Sequence, residues 1–295
     1  METIDKPTIF IVGQTAAGKT DMSIKLAKKY GGEIICADSR TVYKNMDIGT
    51  AKPTSRERSA VIHYGLDLVE PNETYSAAKF KDYAREKIEL IKSKGKIPFI
   101  VGGTGLYIDG LLYDFSFSSF DEALRKRLEK TDIDELQKLA KEAGISPKDV
   151  SFKNPRHLSG AIARGGVINQ PKIKKTTHLI LGLDVKKEIL DKRIEDRVEK
   201  MLSGGLMDEA QELISKYGSE APGLNAPAYK AFIKYLQNKI SYSDAKEEFI
   251  KADRQLAKRQ KTWFKRNKDI IWVKSFTEAD TEVKNFISKF DTMSR

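Results

Sequence analysis

Eight residues constrain this chain more than any others: Gly13-Gln14-Thr15-Ala16-Ala17-Gly18-Lys19-Thr20, set directly behind the apolar run Thr8-Ile9-Phe10-Ile11-Val12. The run, the glycine loop, and Met22, Leu26 and Tyr30 at intervals of four predict a strand, a tight turn and a helix. G-x-x-x-x-G-K-T in that setting is a P-loop. Successive backbone N–H groups wrap a phosphate, Lys19 supplies a point charge, and the Thr20 hydroxyl is placed to face Mg²⁺. The helix adds the positive end of its dipole. The loop does not say which phosphate compound it holds.

The chain has 295 residues, enough for one α/β domain and an inserted piece. Its 53 Lys and Arg against 42 Asp and Glu leave a formal charge of +11, which favours a polyanionic partner or simply reflects a basic proteome. A single cysteine, Cys36, excludes an intramolecular disulfide and a multi-cysteine zinc site, and its apolar neighbours predict a buried thiol in a reducing compartment. No apolar run approaches the ~18 residues of a membrane span, and Met1-Glu2-Thr3 starts no signal peptide. A cytoplasmic monomer with no membrane contact is expected.

Along the chain, Glu33–Ala37 reads as a second strand delivering Asp38-Ser39-Arg40 at its carboxyl end. Ligands of open parallel sheets collect outside the carboxyl ends of strands, so Asp38 and the P-loop are expected at one crevice. There Asp38 holds Mg²⁺, takes a proton from a nucleophile, or caps the next turn. Val42 to Pro53 reads as a loop, and the lone His63 as a structural hydrogen-bonding group. A helix from about Ala77 leads to the strand Ile97–Val101 and a second glycine turn, Gly102-Gly103-Thr104-Gly105, where small residues admit a ligand or another stretch of chain.

Strand character then lapses until His178–Asp184, and a charged helical stretch, Asp121 to Glu142, lies between. The expected architecture is therefore α/β: a P-loop NTPase-like parallel sheet flanked by helices over 1–113 and 173–295, with a small helical insertion domain over 114–172. Lys186 to Leu202 reads as a helix with Arg193 and Arg197 on one face, suited to a diphosphate or, alternatively, solvated with Arg193 paired to Asp196. Lys251 to Lys268 holds eight basic residues and one acid. Interleaved with Gln and aromatics, these form a nucleic-acid surface, or an amphipathic helix turning Phe249, Leu256 and Trp263 inward, or both. A last strand is expected at Asp269–Val273.

Several stretches are individually uncommon: GQTAAGKT at 13–20, DSRTVYKNMDIGTAKP at 38–53, H-x-x-x-D and P-x-E-x-Y-S around 63–76, GGTGLYI at 102–108, RIEDRVEKML at 193–202 with GLMDEA after it, and RQLAKRQKTWF at 254–264. In this order they resemble the tRNA dimethylallyltransferases, also called tRNA isopentenyltransferases, over nearly the whole chain. The resemblance implies transfer of a dimethylallyl group from dimethylallyl diphosphate, with Mg²⁺, to the exocyclic N6 of the adenosine following the anticodon in tRNA.

It also implies roles. Asp38 matches the family's general base, Arg197 its diphosphate-binding arginine, and Gly13 to Thr20 its diphosphate loop, with Thr20 the metal contact. Asp38, Ser39, Arg40, Thr41 and Thr104 match contacts to tRNA, as do Arg156 and His157 of the insertion and Arg254, Gln255, Lys258, Arg259 and Gln260 of the basic stretch. The sequence departs from the pattern at Gln14 (usually Pro), Thr41 (Gln), Tyr64 (His), Gly160 (Arg), Asn225 (Gln) and Pro227-Ala228 (Ile-Gly). Most of these fall on the side expected to face tRNA. A small-molecule P-loop kinase, a prenyltransferase of free adenine nucleotides and a non-catalytic RNA-binding protein each leave part of this pattern unused: the first two the basic stretch, the last Asp38 beside an intact P-loop.

Overall fold

The computed structural model describes residues 6–113, 124, 127–128, 130–147, 150–164 and 178–293. The chain divides into two compact units, Met1–Leu111 with Lys175–Arg295, and Leu112–Lys174.

In the first unit, β1 (Thr8–Val12) is buried at every position, as a central parallel strand requires. It runs through the P-loop into α1 (Lys19–Tyr30), which starts behind a left-handed Gly18 and stops at a left-handed Gly31, whose N–H caps Ala27 O. β2 (Gly32–Cys36) follows, then α2 (Ser55–Ala60), opened by a Thr54/Glu57 capping box, and the two-residue β3 (His63–Tyr64). The helix α3 (Ala77–Ser93) begins where the Ser76 side chain accepts from Lys79 N–H. It leads to β4 (Ile97–Gly102) and α4 (Gly105–Leu112).

The second unit contains α5 (Ile133–Glu142) and α6 (Pro155–Ala163), packed around Leu128, Leu136, Ala140, Ile145, Leu158 and Ala161. Its core thus joins the two helices through the leucines of the charged stretch, although 121–123, 125–126 and 129 of that stretch lie outside the described residues, as do the expected boundaries at 114 and 172.

The first unit resumes with β5 (His178–Leu183), α7 (Lys187–Ser203), α8 (Leu206–Tyr217), a 3₁₀ turn at Pro222–Asn225, α9 (Pro227–Leu236), α10 (Tyr242–Phe264), β6 (Ile271–Val273) and α11 (Phe276–Met293). The six strands are parallel in the order β3-β2-β4-β1-β5-β6. β1 lies between β4 and β5, where successive strands depart to opposite sides, and its carboxyl end carries the P-loop. That is where an open α/β sheet collects its ligand.

One core lies under α1, α7 and α11 (Leu26, Ile194, Val283). A second joins α7 to α10 with the 42–46 loop through Met46, Val198, Leu206, Tyr229 and Phe249. No helix among the described residues is long and apolar enough to cross a membrane.

Between the loop at 42–53 and α3, where the sequence suggests no element, lie α2 and β3; two residues are too few for a periodic signal, and β3 exists because Ile34 and Ile35 of β2 pair with His63 and Tyr64. Two expectations are corrected here. The last strand begins at Ile271, after a turn in which Asp269 N–H donates to the Asn267 side chain. The buried face of α10 is Phe249, Asp253, Ala257, Gln260 and Phe264; of the expected stripe Phe249, Leu256 and Trp263, only Phe249 is fully buried, and the other two are half-buried at its edge. A strict seven-residue step drifts by about 20° per heptad on a straight helix, and the buried stripe carries two polar residues that an apolar count overlooks.

Candidate active site

The P-loop, the turn after β2, the loop 50–53 and α7 line one cavity of about 530 Å³. Thr15 to Thr20 form one wall. Lys19 folds back onto its own loop, donating to Gly13 O at 3.1 Å and Gln14 O at 2.7 Å. Burial pushes its ammonium down to about 8; the Asp38 carboxylate pulls it up and the Arg197 guanidinium pushes it further down. A phosphate arriving between these groups meets a cation already stripped of much of its water.

Asp38 faces the same cavity. Its Oδ1 accepts from Arg40 N–H at 2.8 Å, which caps the turn, while Oδ2 has no partner among the described residues. One carboxylate oxygen thus fixes the side chain and the other stays available to accept a proton. Thr104 Oγ accepts from Ser39 N–H at 3.0 Å and lies 3.3 Å from Ser39 Oγ, joining the turns after β2 and β4. Thr41 is buried, and its hydroxyl has no partner among the described residues. His63 borders the cavity with Nδ1 2.8 Å from Val61 O, and burial lowers its pKa.

The helix α7 contributes Arg193, Arg197 and Lys200 to the cavity. Arg193 does not pair with Asp196: its Nη1 donates to Ala17 O of the P-loop at 3.3 Å. Arg197 pairs with Asp253 of α10, a carboxylate only 2% exposed; burial pushes Asp253 up and Arg197 draws it partly back. Arg197 Nε is buried without a partner among the described residues. With Lys19, these residues concentrate positive charge opposite Asp38.

The helix α10 divides the residues expected on it. Arg254, Gln255, Lys258 and Arg259 are exposed, and Arg254 pairs with Glu195. Gln260, expected on the docking face, is instead buried. Its Oε1 accepts from Thr15 N–H at 2.6 Å and its Nε2 donates to Gly103 O at 3.1 Å. Reciprocally, Gln14 Nε2 donates to Ala257 O at 3.1 Å. The amide groups lock the entry of the P-loop to the helix, and the Thr15 N–H is committed there, not to a ligand.

The glycine turn after β4 has the same cause. A Cβ on Gly103 would lie 2.2 Å from Gln260 Nε2, and one on Gly105 2.3 Å from the Trp263 ring. What approaches these glycines is α10 itself, and Trp263 Nε1 donates to Asp109 Oδ2 at 2.9 Å to hold it there. In the separate helical unit, Arg156 and His157 are exposed on the first turn of α6, where the Asn154 side chain accepts from Arg156 N–H at 3.1 Å. Asp253 carries no assignment from sequence; the available signal was its place four and seven residues before Ala257 and Gln260, on one helical face.

The chain is similar to proteins already known. A family model described as IPP transferase matches residues 41–267, and one described as isopentenyl transferase matches 7–64. Among curated proteins, the tRNA dimethylallyltransferase of Staphylococcus saprophyticus is 39% identical, covering 91% of this chain and 92% of its own. That of Bacillus subtilis is 34% identical, with 96% of each covered. Among solved structures, the full-length tRNA isopentenylpyrophosphate transferase of Bacillus halodurans superposes with a TM-score of 0.75 at 32% identity, covering 98% of each chain. A eukaryotic dimethylallyltransferase crystallised acting on tRNA gives 0.76 at 27% identity, over 95% of this chain and 77% of that one. The chain belongs to the tRNA dimethylallyltransferase family.

Proposed function

We propose that the protein transfers a dimethylallyl group from dimethylallyl diphosphate to the exocyclic N6 of the adenosine following the anticodon in tRNA. The observation that carries this is the single cavity in which the P-loop, Lys19 and the α7 arginines face the free oxygen of Asp38. An adenine amino group is a weak nucleophile because its lone pair is delocalised into the ring. In the reaction its N6 forms a bond to the allylic carbon, the carbon–oxygen bond breaks with its electrons leaving on diphosphate, and Asp38 accepts the N6 proton. Charge grows on the leaving diphosphate, where the amides of the P-loop, Lys19 and Arg197 stabilise it. The P-loop on this reading holds a prenyl diphosphate and not a nucleoside triphosphate.

Among the described residues no cluster of three or more His, Cys, Asp or Glu could cage a metal. The Thr20 hydroxyl beside a phosphate site nonetheless suits Mg²⁺, which keeps several waters and binds through substrate phosphates. Bound there, it would offset charge on the leaving group. The target base has to leave its stack to reach this cavity. The exposed Arg254, Gln255, Lys258 and Arg259, the 38–41 turn with Thr104, and Arg156 and His157 of the inserted domain at 114–172 are the proposed tRNA contacts, in a monomer working in the cytoplasm. The test is incubation with unmodified tRNA and either dimethylallyl diphosphate or ATP, followed by nucleoside mass analysis. Prenylated adenosine from the first donor is expected; phosphoryl transfer from ATP with no prenylation overturns the reading.

A further inference from the structure

We propose that Glu209, on α8 and outside the donor cavity, is a positioning residue that sets one wall of that cavity. This rests on the prenyl-transfer reading above. The Glu209 carboxylate accepts from three consecutive backbone N–H groups, Asp47 at 2.9 Å, Ile48 at 2.8 Å and Gly49 at 2.9 Å, and from the Tyr229 hydroxyl at 2.5 Å. Three successive amides converging on one anion form a nest, and each bond is charge-assisted. Burial and the adjacent Glu209 charge push the Tyr229 hydroxyl far up, so it remains a donor.

The residues that follow the nest, Thr50 and Ala51, line the donor cavity together with the P-loop. On their other side stands Lys52, its side chain fully buried, bonded to Tyr43 O at 2.9 Å and to carboxylate oxygens of Asp47 and Asp67, each at 2.6 Å. Thr50 and Ala51 are thus bracketed by two ionic anchors, with Pro53 lining the cavity just beyond the second. The pair needs them, because Ala51 is held in the left-handed region at φ 52°, a conformation that a residue with a Cβ keeps only when its surroundings impose it. Glu209 acts from behind: among the described residues it hydrogen-bonds to no cavity residue, yet it fixes the backbone one residue before the wall begins.

The wall binds donor alike in the ground state and the transition state, so its loss raises the donor KM and leaves kcat nearly unchanged. In Glu209→Gln an amide N–H₂ faces backbone donors, and at least one nest bond breaks. The donor KM is expected to rise about tenfold, with kcat and the tRNA KM within about twofold. Hydrogen exchange of the 47–51 amides should quicken while that of the P-loop does not, and Glu209→Asp, which keeps the charge, should recover most of the donor affinity. Quickened exchange with an unchanged donor KM overturns the inference, as does an equal loss of donor and tRNA affinity. If Glu209→Gln does not fold, Tyr229→Phe carries the test: it removes one of the four donors, and a donor KM equal to wild type overturns the inference. Wild-type enzyme that prenylates no tRNA condemns the parent reading instead, so the two failures are distinguishable.

Discussion

Asp38 divides its two oxygens between structure and chemistry, with one capped by Arg40 N–H and the other open to the cavity. Asp38→Ala is therefore expected to lower kcat by about 10²–10⁴, the usual contribution of a positioned base, with donor affinity retained; single-turnover kinetics alongside donor titration check both. Lys19 makes a second expectation, in pH. Its ammonium is drawn from 10.5 to about 8 in the free protein, and a bound diphosphate favours the charged form. Below about pH 8 the charge is present and the donor binds at full strength. As pH rises through that value the free protein loses the proton, and donor affinity should fall. The folded chain binds fewer protons than the unfolded one between about 8 and 10.5, so the cost of burying this ammonium is full below about 8 and is relieved progressively across that window. Donor titrations by calorimetry at pH 7, 8 and 9 are expected to weaken stepwise in wild type and to be weak and flat in Lys19→Met.

At the scale of elements, α10 is the piece that fastens the site. Gln260 satisfies a P-loop amide and a carbonyl of the β4 turn with one side chain. Gln260→Leu leaves both without a partner in the interior, and each orphan costs about 1–3 kcal/mol. Urea unfolding should show that loss, and donor binding should weaken with it, although Gln260 is not proposed to touch the donor. Here the limits of reading from sequence are physical. Strands such as Thr8–Val12 and His178–Leu183 are legible because a central parallel strand is apolar throughout. The P-loop was legible because its chemistry demands a fixed local spacing. The face of α10 was not, because Asp253 and Gln260 are buried through partners 56 and 157 residues away, Arg197 and Gly103. Likewise Gly103 and Gly105 announce that something comes close without saying what, and the answer is a helix more than 150 residues later.

For the whole molecule, the charge of +11 matters where cations have no protein partner. Lys261 is held by Asp184 at 3.3 Å, and Arg254 by Glu195, whereas Lys258 and Arg259 are exposed with no ion pair among the described residues. Charge reversal at Lys258 and Arg259 is expected to weaken tRNA binding and to flatten the log–log salt slope by about 0.7–0.9 for each phosphate no longer neutralised. Donor affinity should not change. A filter-binding salt titration checks this, and equal slopes would move the tRNA surface elsewhere on the molecule. The division of α10 into a buried face that clasps the P-loop and an exposed basic face also bears on how such a chain changes over generations. With 3.6 residues per turn, 254, 255, 258 and 259 lie on the outer side, so a substitution there leaves the clasp untouched. On the proposed reading, preference among tRNAs changes there by single steps, while any change at 253 or 260 is tested at once by the fold.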